Sequence, residues 1–243
     1  FSSVLLAILC WCEATTAVAA NRPNVVLIMT DDQGYWDTGA TGNPHIDTPN
    51  MDRLAGEGMQ LNRYYAAPVC SPTRAGLMTG RYPTRFGHEH NIPPGTMDGG
   101  MDLAQETVAD RMRTLGYATG LVGKWHLGYP EPYQPNQRGF EWFHGLLQGA
   151  RRYFPLENPS PHQVIQENGV ALPEEGYVTD RFGDAAGTSC DDGLSKRVCF
   201  QIDQTKRLAR APSANHGKDV AELVLDSQVL GRQVAEEADV LGH

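Results

Sequence analysis

No basic stripe runs through this sequence. Its 20 lysines and arginines stand against 29 aspartates and glutamates, a formal net charge of -9. Proteins that hold nucleic acid do so with clustered cations that neutralise phosphates, so nucleic acid is excluded as a partner. The apolar stretch Val4 to Cys12 is too short to span a bilayer as a helix, so no membrane span is expected. An initiator methionine is lacking, and no basic residues precede that stretch, so the reading frame is expected to begin upstream of Phe1. Internal repeats are absent. Cysteine is scarce at five residues, of which Cys10 and Cys12 fall in the leading segment and Cys70, Cys190 and Cys199 remain. In an oxidising compartment Cys190 and Cys199 can pair, which leaves Cys70 alone.

What is present begins with that leading segment. Val4 to Cys12 is almost wholly apolar, and Ala17-Val18-Ala19-Ala20 places small residues where a signal peptidase cuts. Residues 1–20 are therefore expected to be a signal peptide, and the protein is expected to be exported, to a periplasm, an extracellular space or a lysosome-like compartment. The 243 residues suffice for one sizeable domain with a real core.

The run Asn24-Val25-Val26-Leu27-Ile28-Met29, ending at Thr30-Asp31-Asp32, reads as a strand buried on both faces, which implies a parallel sheet covered by helices. Thr48-Pro49 opens a helix that Gly58 can close, and Met59 to Tyr65 reads as a second strand. Ser71-Pro72 opens another helix, closed near Gly80. A third helix runs to Leu115-Gly116 with Val108, Met112 and Leu115 on one face, and Tyr117 to Gly123 reads as a further strand. This alternation predicts an α/β fold, a mostly parallel sheet sandwiched by helices. From Tyr129 to Pro173 the chain is rich in proline, glycine and aromatics, the composition of a long surface excursion. Gly187 to Ala214 shows no clear apolar period. Val220, Leu223, Val224 and Leu230 suggest an amphipathic helix near the end.

Three polar clusters fall just after apolar segments: Asp31-Asp32, Cys70 to Arg74, and Lys124 to His126. Ligands of open α/β sheets bind outside the carboxyl ends of the strands, so strands in one sheet would bring these clusters to one pocket. Adjacent carboxylates repel unless a cation lies between them, and hard oxygen ligands suit calcium or magnesium. An isolated Asp-Asp is more commonly a solvated turn or a helix cap. Cys70 stands immediately before a helix, where free N–H groups favour an anion or an anionic nucleophile, with Arg74 one turn further on. A buried structural cysteine is the plainer alternative. Lys124 and His126 lie two apart, on one side of an extended chain, where they can hold charge and shuttle a proton. Taken alone, that pair reads as a surface lysine and a packed histidine.

The run Arg22-Pro23-Asn24-Val25-Val26-Leu27-Ile28-Met29-Thr30-Asp31-Asp32 resembles the opening strand of sulfatases of the alkaline phosphatase superfamily. Cys70-Ser71-Pro72-Thr73-Arg74 is similar to their C-x-P-x-R maturation signal, followed by Leu77-Met78-Thr79-Gly80-Arg81. Gly120-Leu121-Val122-Gly123-Lys124-Trp125-His126-Leu127-Gly128 resembles their third block, and Gly139-Phe140 and Tyr153-Phe154 sit where such sequences have similar pairs. The resemblance implies an alkaline-phosphatase-like fold and a hydrolase of sulfate esters, arylsulfatase-like or N-acetylgalactosamine-6-sulfatase-like. It implies that a maturation enzyme, a formylglycine-generating partner, converts Cys70 to formylglycine. It further implies that Asp31, Asp32 and the converted Cys70 bind calcium, that Arg74 and Lys124 hold the modified residue, and that His126 takes a proton from it. Phe86-Gly87-His88-Glu89-His90-Asn91 looks like sulfatases acting on sulfated sugars, which sets a sulfated carbohydrate, small or polymeric, ahead of an aryl sulfate.

The resemblance covers residues 22–186, and 187–243 reads as a divergent tail, so the catalytic region looks truncated. In the family a later histidine, an Asp-Asn pair and a lysine complete the site. Cys190-Asp191-Asp192-Gly193 and Asn215-His216-Gly217 are only faintly similar to the pair. One alternative is therefore an inactive fragment that at most binds sulfated ligands, folding incompletely with Val25 to Met29 exposed. Another is a phosphatase or phosphodiesterase of the same superfamily, which usually presents serine or threonine and uses zinc.

Overall fold

The computed structural model describes residues 23–191, 197–202 and 220–225, with side chains as far as 187. The expected signal peptide, the Cys190–Cys199 pairing, Leu230 and Asn215-His216-Gly217 lie outside the described residues or side chains. Among the described residues the sheet has seven strands, in the order β5-β4-β3-β2-β6-β1-β7. They are β1 (Asn24–Met29), β2 (Ala118–Lys124), β3 (Trp142–Leu146), β4 (Gln166–Glu167), β5 (Val170–Ala171), β6 (Arg197–Ile202) and β7 (Val220–Leu225). The five from β3 to β7 across that order run parallel, and β4 and β5 close one edge antiparallel.

Alternation along β2 sends successive side chains to opposite faces. Leu121 packs with Met29, Ala75, Met78, Trp125, Phe140 and Phe143, on the face covered by α2 (Cys70–Thr79) and α3 (Val108–Thr114). Its neighbour Val122 packs with Leu146, Ile165, Val178 and Phe182, on the face covered by α4 (Val178–Asp191). Two cores on two faces make the expected α/β sandwich. A further helix, α1 (Pro49–Glu57), ends as expected at Gly58, whose N–H donates to the Leu54 carbonyl. Helix α3 opens on a reciprocal cap. Thr107 Oγ1 accepts the Asp110 N–H at 3.1 Å, and the Asp110 carboxylate accepts the Thr107 N–H at 3.0 Å.

Four expectations from the sequence are corrected. Met59 to Tyr65 forms no strand; Met59 is 87% and Leu61 57% exposed, and β propensity without a neighbouring strand makes no ladder. The stretch from Tyr129 to Pro173 is not wholly a surface excursion, because it contains the interior parallel strand β3, too short and glycine-interrupted to stand out. Val220 to Leu225 is a strand rather than a helix, since a few apolar residues at spacings of three and four satisfy either period. Finally, β1 is not left exposed. It pairs with β6 and β7, and Leu27, Ile28 and Met29 are buried.

Glycine sets the closest approach in the sheet. Gly123 on β2 faces Gly145 on β3, and a Cβ on Gly145 would stand 1.8 Å from the Gly123 carbonyl oxygen. Gly183 in α4 has nothing within 4 Å of its would-be Cβ. Gly145→Ala should therefore destabilise the fold by about 3 kcal/mol through overpacking. Gly183→Ala should stabilise it by about 0.5–1 kcal/mol, because alanine loses less entropy in a helix. Urea unfolding of both variants checks the signs, and a neutral Gly145→Ala would contradict the strand contact.

Candidate active site

The carboxyl ends of β1 and β2 and the amino end of α2 meet. The chain leaves β1 through buried Thr30 and delivers Asp31 and Asp32, the latter in a left-handed conformation with φ 56°. Cys70 is the first residue of α2. The preceding Val69 offers no capping side chain, and the cap comes from a distant loop, where Asn91 Oδ1 accepts the Ser71 N–H at 2.9 Å. Thr73 Oγ1 lies 2.9 Å from both the Ala67 and the Val69 carbonyl oxygens and shares its one hydrogen between them, tying the approach to the helix.

Arg74, 1% exposed, points back beneath Cys70. Its Nη1 donates to the Lys124 carbonyl at 2.6 Å and its Nη2 to Asp31 Oδ2 at 2.5 Å. Lys124 Nζ lies 2.8 Å from the same Oδ2. Burial raises the Asp31 carboxyl pKa, but the charges of Arg74 and Lys124 and their hydrogen bonds outweigh it, so the pKa lies below its ordinary value. One carboxylate oxygen thus takes both cations.

Asp31, Asp32 and Cys70 each offer a ligand atom, and these atoms lie within 4.8 Å of one another. They line one small cavity together with Thr73 and Arg74. Asp31 and Asp32 fit a hard cation such as calcium. The Cys70 sulfur fits it poorly, whereas an oxygen at that position would complete a hard donor set.

The structure brings five of the six expected residues to this junction directly: Asp31, Asp32, Cys70, Arg74 and, through Asp31, Lys124. His126 is placed otherwise. Strand β2 ends at Lys124 and His126 has φ 59°, so strand alternation does not carry both side chains to one face. Its ring is buried, with Nε2 3.1 Å from the Ile92 carbonyl. Burial first, then the Lys124 charge, lowers its pKa to about 4, so the ring is neutral near pH 7. Sequence reasoning named Ser71 only as a helix start and Asn91 only within a resemblance, and it missed Gly149. The last has a would-be Cβ position 2.3 Å from the His126 ring. The stretch Phe86 to Asn91 was legible only as a resemblance.

The sulfatase family model matches residues 23–188. The chain belongs to the sulfatase family. Arylsulfatase G of Canis lupus familiaris is 45% identical over 126 residues, 51% of this chain and 23% of that protein. N-acetylgalactosamine-6-sulfatase of Mus musculus is 40% identical over 148 residues, 57% of this chain and 28% of that protein. Among solved structures, Ps i-CgsB in complex with k-i-k-neocarrahexaose superposes with a TM-score of 0.71 at 32% identity, over 82% of this chain and 47% of that one. The chain therefore spans about a quarter of the length of these curated relatives. The superposition agrees with the expected alkaline-phosphatase-like sheet.

The buried histidine makes a pH prediction. A folded pKa of about 4 against an unfolded value of 6.5 means that the unfolded chain binds more protons between those pH values. Stability is then complete above about pH 6.5 and is lost as pH falls toward 4, by up to about 3 kcal/mol from this residue. Urea midpoints across that range should fall less steeply for His126→Gln than for the parent chain. Equal slopes would contradict a neutral His126 in the folded state.

Proposed function

We propose that this chain carries the nucleophile and anion-binding part of a sulfuric ester hydrolase. The observation that supports it best is the meeting of Cys70 with Asp31 and Asp32 over two cations, the buried Arg74 and the partly buried Lys124. The motif Cys70-Ser71-Pro72-Thr73-Arg74 makes Cys70 the residue that a formylglycine-generating enzyme converts. Such an aldehyde, hydrated, supplies a hydroxyl that attacks sulfur. Asp31, Asp32 and residue 70 would hold a calcium ion, which would supply positive charge toward the bound sulfate group.

The other steps belong to the chain's own groups. Arg74 and Lys124 are held by Asp31 beside residue 70, so their charge is in place before substrate arrives. Seated at the head of α2, residue 70 benefits from the helix N-terminus, which favours developing negative charge. His126, neutral at pH 7, accepts the proton of the second hydroxyl of residue 70 through its ring lone pair, which allows sulfate to leave and the aldehyde to return. Export and a sulfated carbohydrate substrate complete the proposal. The relatives named for N-acetylgalactosamine-6-sulfate and bound to neocarrahexaose favour a sugar over an aryl group.

A second reading, an inactive fragment, has its own support. Among the described residues the three donor atoms of Asp31, Asp32 and Cys70 fall short of the six to eight oxygens calcium takes. Calcium is therefore expected to bind weakly, with a dissociation constant no tighter than about 0.1 mM. Calorimetry showing tighter binding would place further ligands in 187–243.

Coexpression with a formylglycine-generating enzyme should convert Cys70, read by mass spectrometry of its tryptic peptide. Pro72→Ala or Arg74→Ala should block that conversion. An intact thiol beside a fully converted control sulfatase would sink the modification proposal. The matured chain is then assayed on an activated aryl sulfate and on the matching phosphate. Turnover of sulfate that Cys70→Ala abolishes supports the hydrolase, and none with full conversion supports the fragment.

A further inference from the structure

His126 holds a left-handed backbone that a non-glycine residue keeps only where its surroundings over-determine it. Those surroundings account for all but one of its polar atoms. Its N–H donates to the Leu147 carbonyl at 3.0 Å, and its own carbonyl accepts the Ser71 hydroxyl at 2.7 Å. The ring lies against Gly149, where any side chain would collide with it. Nε2 meets the Ile92 carbonyl, while Nδ1 is buried without a partner among the described residues. A carbonyl only accepts, so Nε2 carries the ring proton and Nδ1 the lone pair.

The same logic orients the next contact. The Ser71 hydroxyl has a single hydrogen, and the His126 carbonyl takes it. The 2.7 Å contact between Ser71 Oγ and His88 Nε2 is then a bond that His88 donates. Both residues are buried, Ser71 completely and His88 to 6% exposure. Ser71 also follows Cys70 directly, and its N–H is held by Asn91 from the loop that carries His88 and Ile92. A single serine thus joins the helix of the nucleophile to the turn of the base, and one loop holds both.

We propose that Ser71 and His88 are positioning residues. They form a relay of hydrogen bonds from His88 through Ser71 to the His126 backbone, which holds the turn after β2 and fixes Nδ1 as the atom of His126 that takes the proton. No proton passes along the relay. The inference rests on the reading of His126 as the base, but its geometry is testable without turnover.

The test uses the full chain with 15N-labelled histidine, as Ser71→Ala, Ser71→Thr, His88→Leu and His88→Gln beside the parent. In the parent, NMR should show His88 and His126 both protonated at Nε2, with the His88 proton protected from exchange with water. Ser71→Ala should expose that proton to exchange and leave His126 a mixture of tautomers, and Ser71→Thr should restore both signatures. If Ser71→Ala does not fold, the His88 pair decides, because glutamine keeps a donor and leucine does not. On matured chain, kcat per formylglycine should fall about 10–100-fold in Ser71→Ala and His88→Leu with KM little changed, and recover in Ser71→Thr and His88→Gln. His88 protonated at Nδ1, or a His126 tautomer and kcat unmoved while only stability falls, would overturn the relay. A parent chain that hydrolyses nothing would count against the hydrolase, while the tautomers still decide the relay.

Discussion

A single carboxylate oxygen, Asp31 Oδ2, takes both Arg74 and Lys124, and the rest of the site depends on that junction. The three residues come from three elements: the end of β1, the first turns of α2 and the last residue of β2. The buried Arg74 and the partly buried Lys124 would repel side by side, and removal from water raises the pKa of a carboxylate that has no cation beside it. Together they keep their charges, and they hold the helix that begins at Cys70 against the sheet. The second link, Arg74 Nη1 to the Lys124 carbonyl, fixes the helix against the backbone as well as the charge. Position 70 is therefore set by electrostatics rather than by apolar contact alone.

The same junction shows how two cations can be concentrated at one place in a chain of net charge -9. Overall charge governs long-range attraction, whereas binding at the site depends on charges within a few ångströms in a poorly screened interior. The acidic residues scattered over the chain do not cancel Arg74 and Lys124 locally. Asp31 does so in part, and with Asp32 it faces the cavity that Cys70 lines. Cation, carboxylate and helix terminus thus alternate over a short distance, a pattern suited to a substrate group that is anionic and a metal ion that is not.

Much of this was legible in the residues. The apolar run of β1 announced a doubly covered strand, the Ser71-Pro72 and Gly80 boundaries held to within a residue, and the cluster after β1 met Cys70, Arg74 and Lys124, while His126 turned to the Ile92 carbonyl instead. These features are local, because burial on two faces, a cap or a proline at a helix start leaves its mark in consecutive residues. Strand β3 was missed because Trp142 to Leu146 is short and carries its polar His144 inside the protein. The reading of Met59 to Tyr65 as a strand failed because a strand needs a partner, and no local signal says whether one is there.

By itself the sequence determined the fold class, the family and which residue types stand at the ends of which strands, because those are written in short apolar periods and contiguous motifs. Only the tertiary structure decided which oxygen of Asp31 serves both cations, that Asn91 caps the helix of Cys70 from another loop, and that His126 turns into the left-handed region against Gly149. The reason is separation along the chain. Ser71 and His126 are 55 residues apart, and Arg74 and Lys124 are 50 apart. A hydrogen bond across such a distance depends on how the sheet and helices pack, and no local pattern of residues records it.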